Sequence, residues 1–102
     1  MTEDAIQQLT FIEQNLSSVI NQKQTFQRQV FEIENALEEL KLTETAYQIT
    51  GPVMIKKNSK ELVETLKNQK ETIMIRLESL KKQENSLREQ MNKIQKEVFK
   101  NN

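Results

Sequence analysis

Apolar residues recur along the first half of the chain at steps that alternate between three and four. Leu9, Ile12, Leu16, Val19, Lys23, Phe26, Val30, Ile33, Leu37 and Leu40 follow this spacing, and nine of the ten are apolar. Such alternation keeps one narrow stripe turned toward a partner helix. It predicts a long helix with a positions at Leu9, Leu16, Lys23, Val30 and Leu37, and d positions at Ile12, Val19, Phe26, Ile33 and Leu40. No Gly or Pro interrupts the run. Thr2 is placed to cap its start, with Glu3 and Asp4 in the first turn, where the helix dipole favours acids.

From Val63 the same alternation returns through Leu66, Lys70, Ile73, Leu77, Leu80, Glu84, Leu87, Met91, Ile94 and Val98. Asn58, with Glu61 three residues later, resembles a capping box and sets the start of this second helix near Ser59. Glu78 with Lys82, Glu84 with Arg88 and Glu89 with Lys93 are expected to pair at i, i+4. Each helix covers about 40 residues, or roughly 60 Å at 1.5 Å per residue.

Between the helices the period shifts to two. In TAYQITGPVMIKKNS, Tyr47 and Ile49 share a face, Val53 and Ile55 follow, and the only Gly and the only Pro stand together as Gly51 and Pro52. This predicts a short β-hairpin in which Gly51 supplies a positive φ and Pro52 needs no N–H. The expected fold is therefore mainly α: a long antiparallel two-helix coiled coil joined by a hairpin. The helices are expected over 1–42 and 59–100 and the hairpin over 43–58, as a single domain spanning 1–102. Counting outward from the turn sets Lys23 opposite the neighbourhood of Leu80, one turn from Glu84. A seam ion pair between Lys23 and Glu84 is open to it, although a long side chain at an a position more often snorkels to water.

Composition narrows the chemistry. The 102 residues include no His and no Cys, which removes the commonest metal ligands, the commonest general base and the thiol nucleophile. No cofactor, metal or catalytic residue is expected, and the chain does not read as an enzyme. Ser79 and Lys82 spell S-x-x-K and Asn15-Leu16-Ser17 a glycosylation sequon, but both fall inside predicted helix without the companions either chemistry needs. The acidic N-terminus and the lack of a long apolar run make a soluble, cytoplasmic protein the expectation, with no membrane partner. The net charge of zero hides a split: residues 1–50 carry eight acids and three bases, residues 51–102 seven acids and twelve bases. Because the bases alternate with Glu instead of clustering, two halves folded on each other explain the split better than nucleic-acid binding.

Two groups of apolar residues lack an obvious partner. A lone hairpin is marginal in water, and its edges and its Tyr47, Ile49, Val53, Met54 and Ile55 side chains need cover. Pairing of hairpins from several subunits into a shared sheet or barrel supplies it; folding back on Leu40, Leu42 and Leu62 is the alternative, with a smaller core. Near the termini Ile6, Phe11 and Phe99 fall off the seam at e, c and b, beside Leu9, Ile12, Met91, Ile94 and Val98. An apolar surface there marks a binding site, although periodicity alone accounts for Leu9, Ile12, Ile94 and Val98 as seam knobs. Phe31, Met74 and Ile75 are also off the seam, nearer the hairpin.

Helix, GPV-type hairpin and helix in this order resemble the beta-class subunit of prefoldin over essentially the whole chain. The likeness is carried by QKQTFQRQVFEIENALEEL at Gln22 to Leu40, AYQITGPVMIKK at Ala46 to Lys57, and RLESLKKQENSLREQM at Arg76 to Met91. A single central hairpin is similar to the beta class, since alpha-class subunits carry two. The resemblance implies an ATP-independent chaperone, a hexamer of two alpha and four beta subunits. In it the hairpins form a β-barrel platform, and the coiled-coil tips hold unfolded clients for transfer to a group II chaperonin. It implies platform roles for Tyr47, Ile49, Gly51, Pro52, Val53, Met54 and Ile55. It implies client-holding roles for Ile6, Leu9, Phe11, Ile12, Met91, Ile94, Val98 and Phe99. Unlike many relatives, the sequence ends soon after Phe99 with little polar tail.

Overall fold

A computed structural model describes residues 3–100. The elements run α1 (Glu3–Leu40), β1 (Thr45–Thr50), β2 (Val53–Asn58) and α2 (Ser59–Lys100). The cap expected at Thr2 lies outside the described residues. The fold is mainly helical, with one short antiparallel hairpin. Threonines inside the helices return their hydroxyls to the carbonyl four residues back, as Thr10 does to Ile6 at 2.9 Å and Thr65 to Glu61 at 3.0 Å. That internal bond satisfies the hydroxyl where no other partner is near.

α1 closes by tightening: the Leu42 N–H donates to the Glu39 carbonyl at 3.1 Å and the Thr43 N–H to the Leu40 carbonyl at 3.4 Å. The hairpin pairs from Thr45 with Asn58 to Thr50 with Val53, leaving Gly51 and Pro52 as a two-residue turn. Gly51 has φ 58°, and among the described residues no non-Gly residue has a positive φ. A positive φ at the first turn position alone is the II′ form, whose twist matches that of the strands. α2 starts on a capped turn, for the Asn58 Oδ1 accepts from the Lys60 N–H at 2.9 Å. The Ser59 N–H donates to the Glu44 carbonyl at 3.2 Å, carrying the ladder one rung into the helix.

The chain divides into two compact units. The terminal unit joins the described residues up to Thr25 with those from Arg76, and the hairpin unit is Phe26–Ile75. In the terminal unit Ile12, Leu16 and Val19 of α1 and Leu77 and Leu80 of α2 form a buried core, each at its seam position. The helices run antiparallel there, since Lys23 meets Glu84, while Ile12 and Ile94 line one groove. In the hairpin unit the seam residues Ile33, Leu37, Leu40, Val63, Leu66 and Ile73 are only half-buried. Its polar seam residue Lys70 reaches Glu34 at 3.2 Å.

Candidate functional site

The terminal unit carries the residues singled out for binding, and they separate by exposure. Ile12 is 5% exposed, whereas Phe11 is 65% and Phe99 81% exposed, and Ile6 is exposed as well. Leu9, Met91, Ile94 and Val98 are half-buried along the seam. Heptad geometry explains the split, because a and d side chains turn into the partner helix while b, c and e side chains do not. What the unit presents to an incoming molecule is therefore Ile6, Phe11 and Phe99, backed by a packed seam.

Beside Phe11 the two helices leave a groove. Gln8, Phe11 and Ile12 of α1 and Gln90, Lys93 and Ile94 of α2 line it. Both helices contribute the same spacing, an amide at i, a large side chain at i+3 and an isoleucine at i+4. One heptad further from the termini a second groove lies between Asn15, Ser18 and Val19 on α1 and Lys82, Gln83, Ser86 and Leu87 on α2. Serines stand there in the places of Phe11 and Lys93. Sequence reasoning missed Gln8, Gln90 and Lys93. The i, i+4 spacing marks Lys93 as half of a surface pair with Glu89, but among the described residues neither that pair nor Glu78 with Lys82 forms. Lys93 has no ion-pair partner among the described residues. Of the three expected i, i+4 pairs, Arg88 with Glu84 is present at 3.4 Å.

The seam of this unit holds one polar contact. Lys23 Nζ donates to Glu84 Oε1 at 2.7 Å, with side-chain exposures of 20% and 11%, so Lys23 does not snorkel to water. Its four-carbon stem spans the one-turn offset that counting from the hairpin leaves open. The Lys23 hydrogen bond holds the Glu84 carboxyl below the usual carboxylate range against the opposing effect of burial, with the Lys23 charge and Arg88 adding to the lowering.

In the hairpin unit the register sorts the apolar side chains by face. Ile49 pairs with Met54 and Tyr47 with Lys56, while Val53 and Ile55 lie opposite Thr50 and Gln48. Cross-strand partners point to the same side, so Tyr47, Ile49 and Met54 make one face and Val53, Ile55 and Ala46 the other. The first face is exposed throughout, whereas Ala46, Gln48 and Lys57 on the second are half-buried. Leu42, Phe31, Met74 and Ile75 are also exposed in this unit. The hairpin therefore leaves an uncovered apolar face, and Leu42 gives it no cover. Among the described residues no cluster of His, Cys, Asp and Glu could hold a metal ion, and no helix is long and apolar enough to cross a membrane.

Comparison with known proteins gives this architecture a family. A family model described as prefoldin subunit matches residues 3–101. The chain belongs to the prefoldin subunit family, in its beta class. Prefoldin subunit beta of Pyrococcus furiosus is 38% identical over 76 residues, which cover 72% of this chain and 65% of that protein. The match thus spans just under two thirds of that relative's length. Prefoldin subunit beta of Methanosarcina acetivorans is 35% identical over 81 residues, covering 76% of this chain and 69% of that one. The crystal structure of the prefoldin beta subunit from Thermococcus strain KS-1 superposes with a TM-score of 0.87 at 29% identity, over 94% of this chain and 87% of the other. Two long helices around a single hairpin are thus the prefoldin beta fold.

Proposed function

We propose that this chain is the beta subunit of an ATP-independent chaperone that holds unfolded proteins and passes them to a group II chaperonin. The hairpin assembles the complex: hairpins of four beta copies and two alpha-class partners pair into a β-barrel platform, which covers Tyr47, Ile49, Met54, Val53 and Ile55. The terminal unit holds the client through Ile6, Phe11 and Phe99, with Leu9, Ile12, Met91, Ile94 and Val98 supporting them from the seam. The observation that carries this reading is the exposure of Phe11 and Phe99 on a unit that buries Ile12, Leu16, Val19, Leu77 and Leu80 in a core of its own. Rings left outside that core can cover apolar surface on another chain, at roughly 25 cal/mol per Å². Several such units on one platform hold a client that none holds alone.

A structural adaptor that docks one fixed partner is the competing reading, and the burial of Ile12 in the seam favours it. Light scattering separates the two. A denatured, aggregating enzyme is diluted into the purified chain with and without an alpha-class partner. The holding function predicts suppressed scattering at excess chaperone; scattering unchanged in both mixtures leaves the adaptor.

A further inference from the structure

We infer that the groove between Gln8, Phe11 and Ile12 and Gln90, Lys93 and Ile94 selects unfolded segments in which an apolar residue is followed or preceded at short range by a carboxylate. This rests on the holding function proposed above and adds to it a preference among clients. The two sides of the groove are near copies, Gln8-Leu9-Thr10-Phe11-Ile12 on α1 and Gln90-Met91-Asn92-Lys93-Ile94 on α2. Antiparallel helices set the two copies facing each other in opposite directions. Phe11 and Lys93 therefore occupy equivalent corners, a ring at one and an ammonium at the other. Ile12 and Ile94 supply an apolar floor, and the amides of Gln8 and Gln90 offer donors and acceptors to a client backbone.

The ammonium is what gives the groove a preference. Lys93 is the one charged residue lining it, and it has no ion-pair partner among the described residues. An unpaired cation beside an apolar floor complements a carboxylate on a segment whose neighbouring side chain sits against Phe11. Packed helices lie about 8–10 Å apart, which is about three residues of extended chain at roughly 3.3 Å each. The adjoining heptad has Ser18 and Ser86 at these corners and Lys82 elsewhere in its lining, so it keeps a cation but lacks the ring beside it.

Fluorescence anisotropy with the full chain tests this, using a short dye-labelled peptide that carries a leucine anchor and a glutamate at that spacing, and its twin with glutamine. The acidic peptide is expected to bind roughly two- to fivefold tighter, the range of an exposed ion pair, and the difference should vanish at 1 M salt, where screening acts within about 3 Å. Lys93→Ser, which copies the adjoining heptad, should make the twins equal, and Lys93→Glu should reverse their order. Phe11→Ser should weaken both alike, with helicity by circular dichroism unchanged in every variant. Twins that bind equally while the chain still suppresses aggregation overturn the carboxylate preference alone. Twins that fail to bind a chain that also fails to suppress aggregation overturn the holding function beneath it.

Discussion

Lys23 and Glu84 stand where a coiled coil usually keeps Leu or Ile, and the 2.7 Å bond between them is the shorter of the two ion pairs that Glu84 makes. Taking Lys23 away leaves the nearly buried Glu84 carboxylate with only the longer, half-exposed Arg88 contact at 3.4 Å, whereas replacing both with apolar residues removes the desolvation of two charges together. Lys23→Met is therefore expected to lower the melting temperature more than the Lys23→Met, Glu84→Met pair does, as followed by circular dichroism. The pair also sets an acid response. Because the folded Glu84 carboxyl titrates below its ordinary range, its contribution is present above the unfolded carboxylate pKa and is lost as pH falls through the lowered folded value. An acid titration of stability should thus be flatter for Glu84→Gln than for the unaltered chain; identical acid limbs would dismiss the linkage. Like Lys70, Lys23 and Glu84 are plain as polar seam positions in the heptad count. Their pairing was not, because the reach of one lysine side chain covers the one-turn offset that decides it.

At the scale of elements, the hairpin hinges on one backbone angle. Gly51 sits at φ 58° and a Cβ added to it would meet nothing within 4 Å. Gly51→Ala should therefore cost only the left-handed strain, about 1–2 kcal/mol, read as a shift in denaturant midpoint; a loss well beyond that would mean the turn is held by more than its φ. At the start of α2, Ser59 is buried and its Oγ has no hydrogen-bond partner among the described residues. Since an unsatisfied buried hydroxyl costs about 1–3 kcal/mol, Ser59→Ala should be neutral or stabilising in the same assay. The shift from period 3.5 to period 2 and the Gly51-Pro52 pair announced the hairpin in the sequence. Its faces were legible too, for a two-residue turn forces Thr50 opposite Val53 and hence Ile49 opposite Met54. Ser59 carried no such signal, because burial at a helix–strand junction depends on how the ladder runs into the helix.

Across the whole molecule, apolar surface remains exposed in each compact unit, and the proposed function gives each a separate task. Heptads located the seam and the off-seam Ile6, Phe11 and Phe99, so most of the candidate site was readable from spacing. Lys93 was not, since a lysine four residues after a glutamate looks like half of a surface pair until the missing contact is seen. If the hairpin assembles the complex, Val53→Asp with Ile55→Asp should reduce the native mass, measured with an alpha-class partner, while helix content stays largely intact. The most direct test of the division of labour is light scattering of an aggregating enzyme in excess Phe11→Ser, Phe99→Ser double variant whose native mass is unchanged. Aggregation should return toward the level without chaperone. Suppression equal to that of the unaltered chain would contradict the assignment of holding to these exposed rings.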